Sequence, residues 1–400
     1  MPASNRQLRN KLGNQVMGDD FWPRPDIVDR LYRDMVDDKG SRGMFALRRI
    51  GKSSVLSEVE RRLRAETKIT VIHINVQNVT RIRDFMAMVF AEIPSTSRTA
   101  AARKKFIENP ALQNIFTAVA TRVIGKQPIS DTGGLVNEFD HAAIWVGDID
   151  ATLKAAGPII LIIDELPYMM RAMLGRHYKP ADAEQFLAML ISWRKESGVR
   201  MLFAGSIGLR QFSRESGVRV GDLLSDVVPV DLPPLAPHDA IAMVDALARG
   251  ESAANWSTAL SQAIVVESAE TWPIFLQYGF DAIHRVGTRD PASVGTILAE
   301  SVRPALDATF YQQFSTRLAQ YGKDETGARI TLKTIVASGG KPTKLDAIDT
   351  ALTKAKFKRQ DELLEALRED NFIVFDTQAQ TAQPASRLVP IWVRARAWGR

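Results

Sequence analysis

The chain has 400 residues, too many for one hydrophobic core, so two or three domains are expected. No run approaches the roughly 18 apolar residues of a membrane-spanning helix, and the absence of cysteine removes disulfides, thiolate metal sites and thiol catalysis. A formal net charge of +6 permits a nucleic-acid partner without demanding one.

Met1 to Gly18 is polar and basic and lacks the apolar core of a secretory signal, so a cytoplasmic protein without a membrane partner is expected. Pro25 to Val36 follows as an amphipathic helix, with Ile27, Val28, Leu31, Tyr32 and Met35 at helical spacing. Residues 1–40 are therefore read as an arm and a helix. A short apolar run then meets a tight turn at Gly51-Lys52-Ser53 and a second helix. This order builds a cradle for the phosphates of a nucleoside triphosphate, because loop and helix N–H groups converge on the anion. Lys52 would reach the β- and γ-phosphates and the Ser53 hydroxyl would ligate Mg2+. The pattern wants glycine where the chain has Ala46, a change that costs little unless the backbone there needs a positive φ. A Gly-Lys-Ser that merely opens a basic helix is the alternative.

Lys68 to Gln77 reads as a strand, with His73 a packed residue. The stretch of about 85–150 must carry extra helices, since a crossover to the next strand needs far fewer residues. Arg103, Lys104 and Lys105 lie in it as a solvated face or a contact for nucleic acid or a partner. Pro158 to Ile163 is a continuous aliphatic run, as in a parallel strand buried on both faces, and it ends in Asp164 and Glu165. Acids at that end sit where open α/β sheets hold ligands. Asp164 would bind Mg2+ through water and Glu165 would act as general base; acids that simply end a strand at solvent are the alternative. Arg200 to Gly205 is another apolar strand, and Ser206 at its end could sense the γ-phosphate or orient water. The core is bounded at 41–235 by the proline-dense stretch Pro229 to Pro237.

Residues 236–324 read as a helical lid. Residues 325–400 read as a winged helix: helices at Ile330–Val336, Leu345–Leu352 and Arg359–Glu369, a strand at Phe372–Phe375, a wing loop at Thr377–Gln383 and a return strand at Leu388–Trp392. The helix that would enter a DNA groove carries Asp361, Glu362, Glu365, Glu369 and Asp370 against Arg359 and Arg368. Those acids repel phosphate and favour a protein contact, although the turn Lys354 to Arg359 is basic.

Arg48-Arg49-Ile50-Gly51-Lys52-Ser53-Ser54 resembles the R-R-x-G-K-[ST]-S loop of the archaeal-ATPase and STAND branch of AAA+-like P-loop ATPases. Phe21-Trp22-Pro23-Arg24 is similar to that branch's F-x-x-R motif near the adenine, and Ile163-Asp164-Glu165 to its second motif. Trp272-Pro273-Ile274-Phe275-Leu276 is similar to the G-x-P module of its lid, with Thr271 in place of the glycine. Pro390 to Arg394, with Trp398 beyond, is similar to the close of its winged helix. The resemblance implies an α/β P-loop NTPase with a parallel-sheet core, a helical lid and a winged-helix domain. It implies ATP and Mg2+ as cofactors, held by Phe21, Arg24, Arg48, Arg49, Ile50, Gly51, Lys52, Ser53, Ser54 and Pro273, with the metal on Ser53 and Asp164 and the chemistry on Lys52, Glu165 and Ser206. A finger arginine among Arg210, Arg214 and Arg219 would complete a neighbouring subunit's site. The implied function is an ATP-binding, slowly hydrolysing molecular switch, in defence or signalling, whose partner is a homo-oligomer or an effector on a separate chain. The alternatives are a DNA-binding ATPase of the replication-initiator or transposition-regulator type, and a scaffold with a dead nucleotide site.

Overall fold

The computed structural model describes residues 6–37, 40–93, 151–176, 178–221, 225–339, 341–357, 360–376 and 378–396. Arg103, Lys104 and Lys105, with the part of the predicted insertion of about 85–150 that runs from residue 94 to 150, lie outside them, as do Arg359 and Trp398. The chain divides into two compact units, one of residues 26–44 and 59–230, the other of residues 1–25, 45–58 and 231–400.

The first unit is built on a parallel sheet of order β2-β3-β4-β1-β5, from β1 (Ser41–Phe45), β2 (Thr70–Asn75), β3 (Ile159–Asp164), β4 (Arg200–Gly205) and β5 (Val227–Pro229). All six residues of β3 are buried, as a strand flanked on both sides requires, and it pairs in register with β2 from Thr70↔Ile159 to Asn75↔Asp164. Helix α1 (Pro25–Val36) has the bounds its periodicity predicts, and it buries Val28, Leu31 and Met35. Its closing carbonyls, which have no partner within the helix, receive an external donor. Arg200 Nη1 bonds the oxygens of Met35 and Val36 at 2.9 and 2.8 Å. Asp34 on the same helix accepts from Arg42 Nε of β1 at 2.8 Å, in an ion pair that is almost fully buried. Helix α3 (Ile82–Glu92) packs on α5 (Pro180–Glu196) through Phe85, whose ring meets Phe186 edge-on at 5.0 Å. Helix α4 (Leu166–Leu174) follows β3 and α6 (Leu209–Ser216) follows β4. His73 is a packed residue, its Nδ1 lying 2.6 Å from Glu60 Oε2.

Helix α2 (Lys52–Glu66) begins in the second unit and ends in the first. In the second unit, α7 (Pro237–Gly250), α8 (Thr258–Glu267), α9 (Pro273–Val286), α10 (Val294–Ser301) and α11 (Arg303–Ala319) form a helical bundle. Phe310 and Phe314, one turn apart on α11, bind two aromatic groups: Phe310 stacks on Trp272 at 5.5 Å, and Phe314 meets Trp392 at 5.3 Å. The C-terminal elements are α12 (Glu325–Ala337), β6 (Thr343–Lys344), α13 (Leu345–Lys354), α14 (Gln360–Glu369), β7 (Ile373–Asp376), β8 (Thr381–Pro384) and α15 (Leu388–Ala395).

Two details of this segment differ from expectation. The return strand is β8, three of whose four residues lie in the stretch expected to be a wing loop, and Leu388–Trp392 belongs to a helix. Pro390 is the third residue of α15, where its missing N–H has no intrahelical acceptor to lose, and Leu388, Val389, Trp392 and Val393 bury one helical face. β8 is polar in composition, yet it lies between β6 and β7 and buries Ala382. Asp370, in turn, does not face a groove. It is wholly buried beyond the end of α14, with Oδ2 accepting from the Tyr321 hydroxyl at 2.7 Å and its carbonyl accepting from Arg317 Nη1 at 2.6 Å. Among the described residues, no helix is long and apolar enough to cross a membrane.

Candidate functional site

The turn from β1 to α2 occupies residues 46–51, and α2 opens at Lys52. Gly51 has φ 102 and Arg49 φ 71, so the turn depends on left-handed backbone at two positions. For Arg49, which has a side chain, that conformation costs about 1 kcal/mol or more. Ala46 is buried and is not among the positive-φ residues, so this position makes no demand that only glycine meets. Ile50 is buried beneath the turn, Lys52 is 5% exposed, and the Arg48 and Arg49 side chains are exposed.

Segments distant in sequence hold this turn from within the same unit. Arg48 N–H donates to Gln313 Oε1 of α11 at 2.9 Å, and Asn371 Nδ2 donates to the Phe45 carbonyl at 3.2 Å. From the arm, Gln15 Nε2 donates to the Ser53 carbonyl at 3.1 Å and to Ser57 Oγ at 2.7 Å, while Val16 N–H donates to Ser54 Oγ at 3.1 Å. The arm is fastened at its other end to α7, by Leu8 N–H on the Ala246 carbonyl at 3.0 Å and Asn10 N–H on Glu251 Oε1 at 2.8 Å. Neither Gln15, Gln313 nor Asn371 carries a local sequence signal, since each acts as a single polar side chain far from the turn.

Phe21, Trp22 and Arg24 are buried. Arg24 Nη1 donates to the Pro233 carbonyl at 2.7 Å, and Nη2 is buried with no acceptor. Burial pushes this guanidinium down to about 10, against the charge of Asp239. Pro273 is the first residue of α9, a position suited to its fixed φ. Thr271, in the place of the lid glycine, is buried without a positive φ, and its hydroxyl donates to the Leu235 carbonyl at 2.7 Å.

In the sheet unit, β3 ends at Asp164, which is 2% exposed, and Glu165 follows at φ 65. The left-handed step turns the chain directly into α4 and leaves the Glu165 carboxylate beside the end of β4. There Oε2 accepts the N–H of Ser206 at 3.0 Å and its hydroxyl at 2.9 Å. Gly205 permits this approach, because a Cβ on it would lie 2.8 Å from the ring of Pro167. Ser206 therefore has its hydroxyl proton committed to Glu165. Of the finger candidates, Arg219 binds Glu184 through backbone N–H, Nε and Nη2, the last at 2.8 Å, and holds that carboxylate down to about 2.

No protein-family model and no curated protein matches the sequence. Among solved structures, the chain is similar to the Walker-type ATPase paby2304 of Pyrococcus abyssi, with a TM-score of 0.55 and 16% identity over 96% of this chain and 99% of that one. It also matches the ADP form of the Aeropyrum pernix ORC2 protein, with a TM-score of 0.45 and 12% identity over 98% and 97% of the two chains. Cdc6p from Pyrobaculum aerophilum gives a TM-score of 0.39 and 10% identity over 94% and 95%. The last two likenesses are too weak to bear an argument. The first shows the fold alone: an α/β core on a parallel sheet, followed by helices.

Proposed function

We propose that the chain binds ATP with Mg2+ and hydrolyses it slowly, as an AAA+/STAND-like switch. The observation that carries this reading is the turn at 46–51, with left-handed Arg49 and Gly51 delivering Lys52 and Ser53 to the start of α2. The donor set fits the group. The Ser53 hydroxyl and the Asp164 carboxylate are hard oxygen ligands of the kind Mg2+ takes, and Lys52 supplies a cation for phosphate oxygens. When bound, the magnesium triphosphate supplies an electrophilic γ-phosphorus with shielded charge.

The remaining steps belong to the chain. Lys52 and the loop N–H groups hold the phosphates, Phe21, Arg24 and Pro273 border the base, and Glu165 accepts the proton of the attacking water. Both hydrogen bonds from Ser206 fall on Oε2 and fix that carboxylate beside the end of β4. Arg48 and Arg49 are exposed on the turn, and phosphate or a second subunit would meet them there. The partner is a further copy of this chain or an effector on another chain.

Glu165→Gln tests the reading. The variant should bind nucleotide like the parent and lose hydrolysis; hydrolysis at the parent rate would remove Glu165 from the role of base. A DNA-dependent function is the competing reading, and the exposed Asp361 and Glu362 of α14 oppose it. Duplex binding with a steep salt dependence that vanishes on removing residues 325–400 would restore it.

A further inference from the structure

We propose that Gln313 senses the occupancy of the phosphate loop and transmits it, through α11 and Asn371, to the C-terminal segment. The proposal deepens the nucleotide-switch reading and rests on it.

Successive backbone N–H groups in a turn can converge on one point and make a concavity for an anion. Arg48 and Arg49 are turn residues inside the loop, with Arg49 left-handed at φ 71. One of the N–H groups of this turn, that of Arg48, is bonded to a carboxamide oxygen, Gln313 Oε1, at 2.9 Å. A neutral oxygen thus stands where an anionic one would be attracted. Phosphate oxygens form charge-assisted bonds roughly twice as strong as those of a neutral acceptor, so an incoming triphosphate displaces Gln313.

The displacement reaches the C-terminal segment because Gln313 is tied to it. Arg317, one turn along α11, donates to the Asp370 carbonyl at 2.6 Å, and Tyr321 donates to the Asp370 carboxylate at 2.7 Å. Asn371, the next residue, is left-handed at φ 61 and uses its Nδ2 on both the Glu369 and the Phe45 carbonyls. The loop is therefore gripped at Phe45 and at Arg48 by two side chains fixed to the same helix. By linkage, whatever weakens the grip when the loop fills must also weaken filling when the grip is present.

Two substitutions move the affinity in opposite directions. Gln313→Ala removes the competing acceptor and should tighten binding of a slowly hydrolysed ATP analogue with Mg2+ about fivefold, the worth of one ordinary hydrogen bond. Gln313→Glu keeps the shape, holds the N–H more firmly and repels phosphate, and should weaken the analogue about tenfold or more. Hydrogen exchange without nucleotide should accelerate at residues 371–376 in Gln313→Ala, and the analogue should cause the same acceleration in the parent. Unchanged affinity in both variants, with the parent binding normally, overturns the sensor role and leaves the nucleotide reading intact. A parent that binds no nucleotide overturns both.

Discussion

Gly250, the last residue of α7, offers a sharp test of how the arm is held. A Cβ built on it would lie 2.0 Å from the carbonyl oxygen of Leu8 and 2.6 Å from the carbonyl carbon and the nitrogen of the same residue. These are backbone atoms, so no side-chain rotation relieves the collision, and Gly250→Ala must push the arm off the helix. Gly250 has no positive φ, so alanine adds no backbone strain of its own. Leu8 is 1% exposed, and losing its burial is worth about 2 kcal/mol. Loss of its N–H bond to Ala246 adds about 1 kcal/mol. A local opening that is easier by about 3 kcal/mol corresponds to roughly 100-fold faster amide exchange at residues 8–10. The arm also bonds Ser53, Ser54 and Ser57, so protease sensitivity should extend to residue 16. Exchange followed by mass spectrometry reads the first effect and limited proteolysis the second. Gly287→Ala is the control, since it meets nothing within 4 Å and changes only a left-handed cap at φ 75. Parent-like exchange at residues 8–10 in Gly250→Ala would refute the close approach.

Two further outcomes follow from buried charge. Arg24→Met removes a desolvated guanidinium that has one orphaned nitrogen, so thermal stability should hold or rise while nucleotide affinity falls, a trade typical of functional sites; a melting temperature lowered by several degrees would show that Arg24 is chiefly structural. Asp34→Asn leaves the Arg42 guanidinium buried without its carboxylate and should cost about 3 kcal/mol in denaturant unfolding, whereas a loss below about 1 kcal/mol would mean that the pair contributes little.

The parts of this protein that sequence alone determines are those governed by local period and turn chemistry. The aliphatic run Ile159–Ile163 satisfies its apolar side chains as a strand covered on both faces, and its acids then fall at the strand's C-terminal end. The spacing of Val28, Leu31 and Met35 specifies α1 to its ends. Gly51-Lys52-Ser53 marks the turn, since glycine's left-handed φ and a helix start are written in adjacent residues. Where a polar strand is buried by its neighbours, as in β8, composition misleads, and where a proline falls in a first helical turn, as in α15, a strand and a helix read alike. What only the tertiary structure decided is the choice of partners: Ser206 for Glu165, Gln313 for Arg48, Gln15 for Ser53 and Tyr321 for Asp370. A single hydrogen-bonding side chain has no periodicity, and dozens of others share its chemistry. Its partner is selected by the packing of apolar faces that brings two distant backbones within about 3 Å, and that selection is a property of the folded chain.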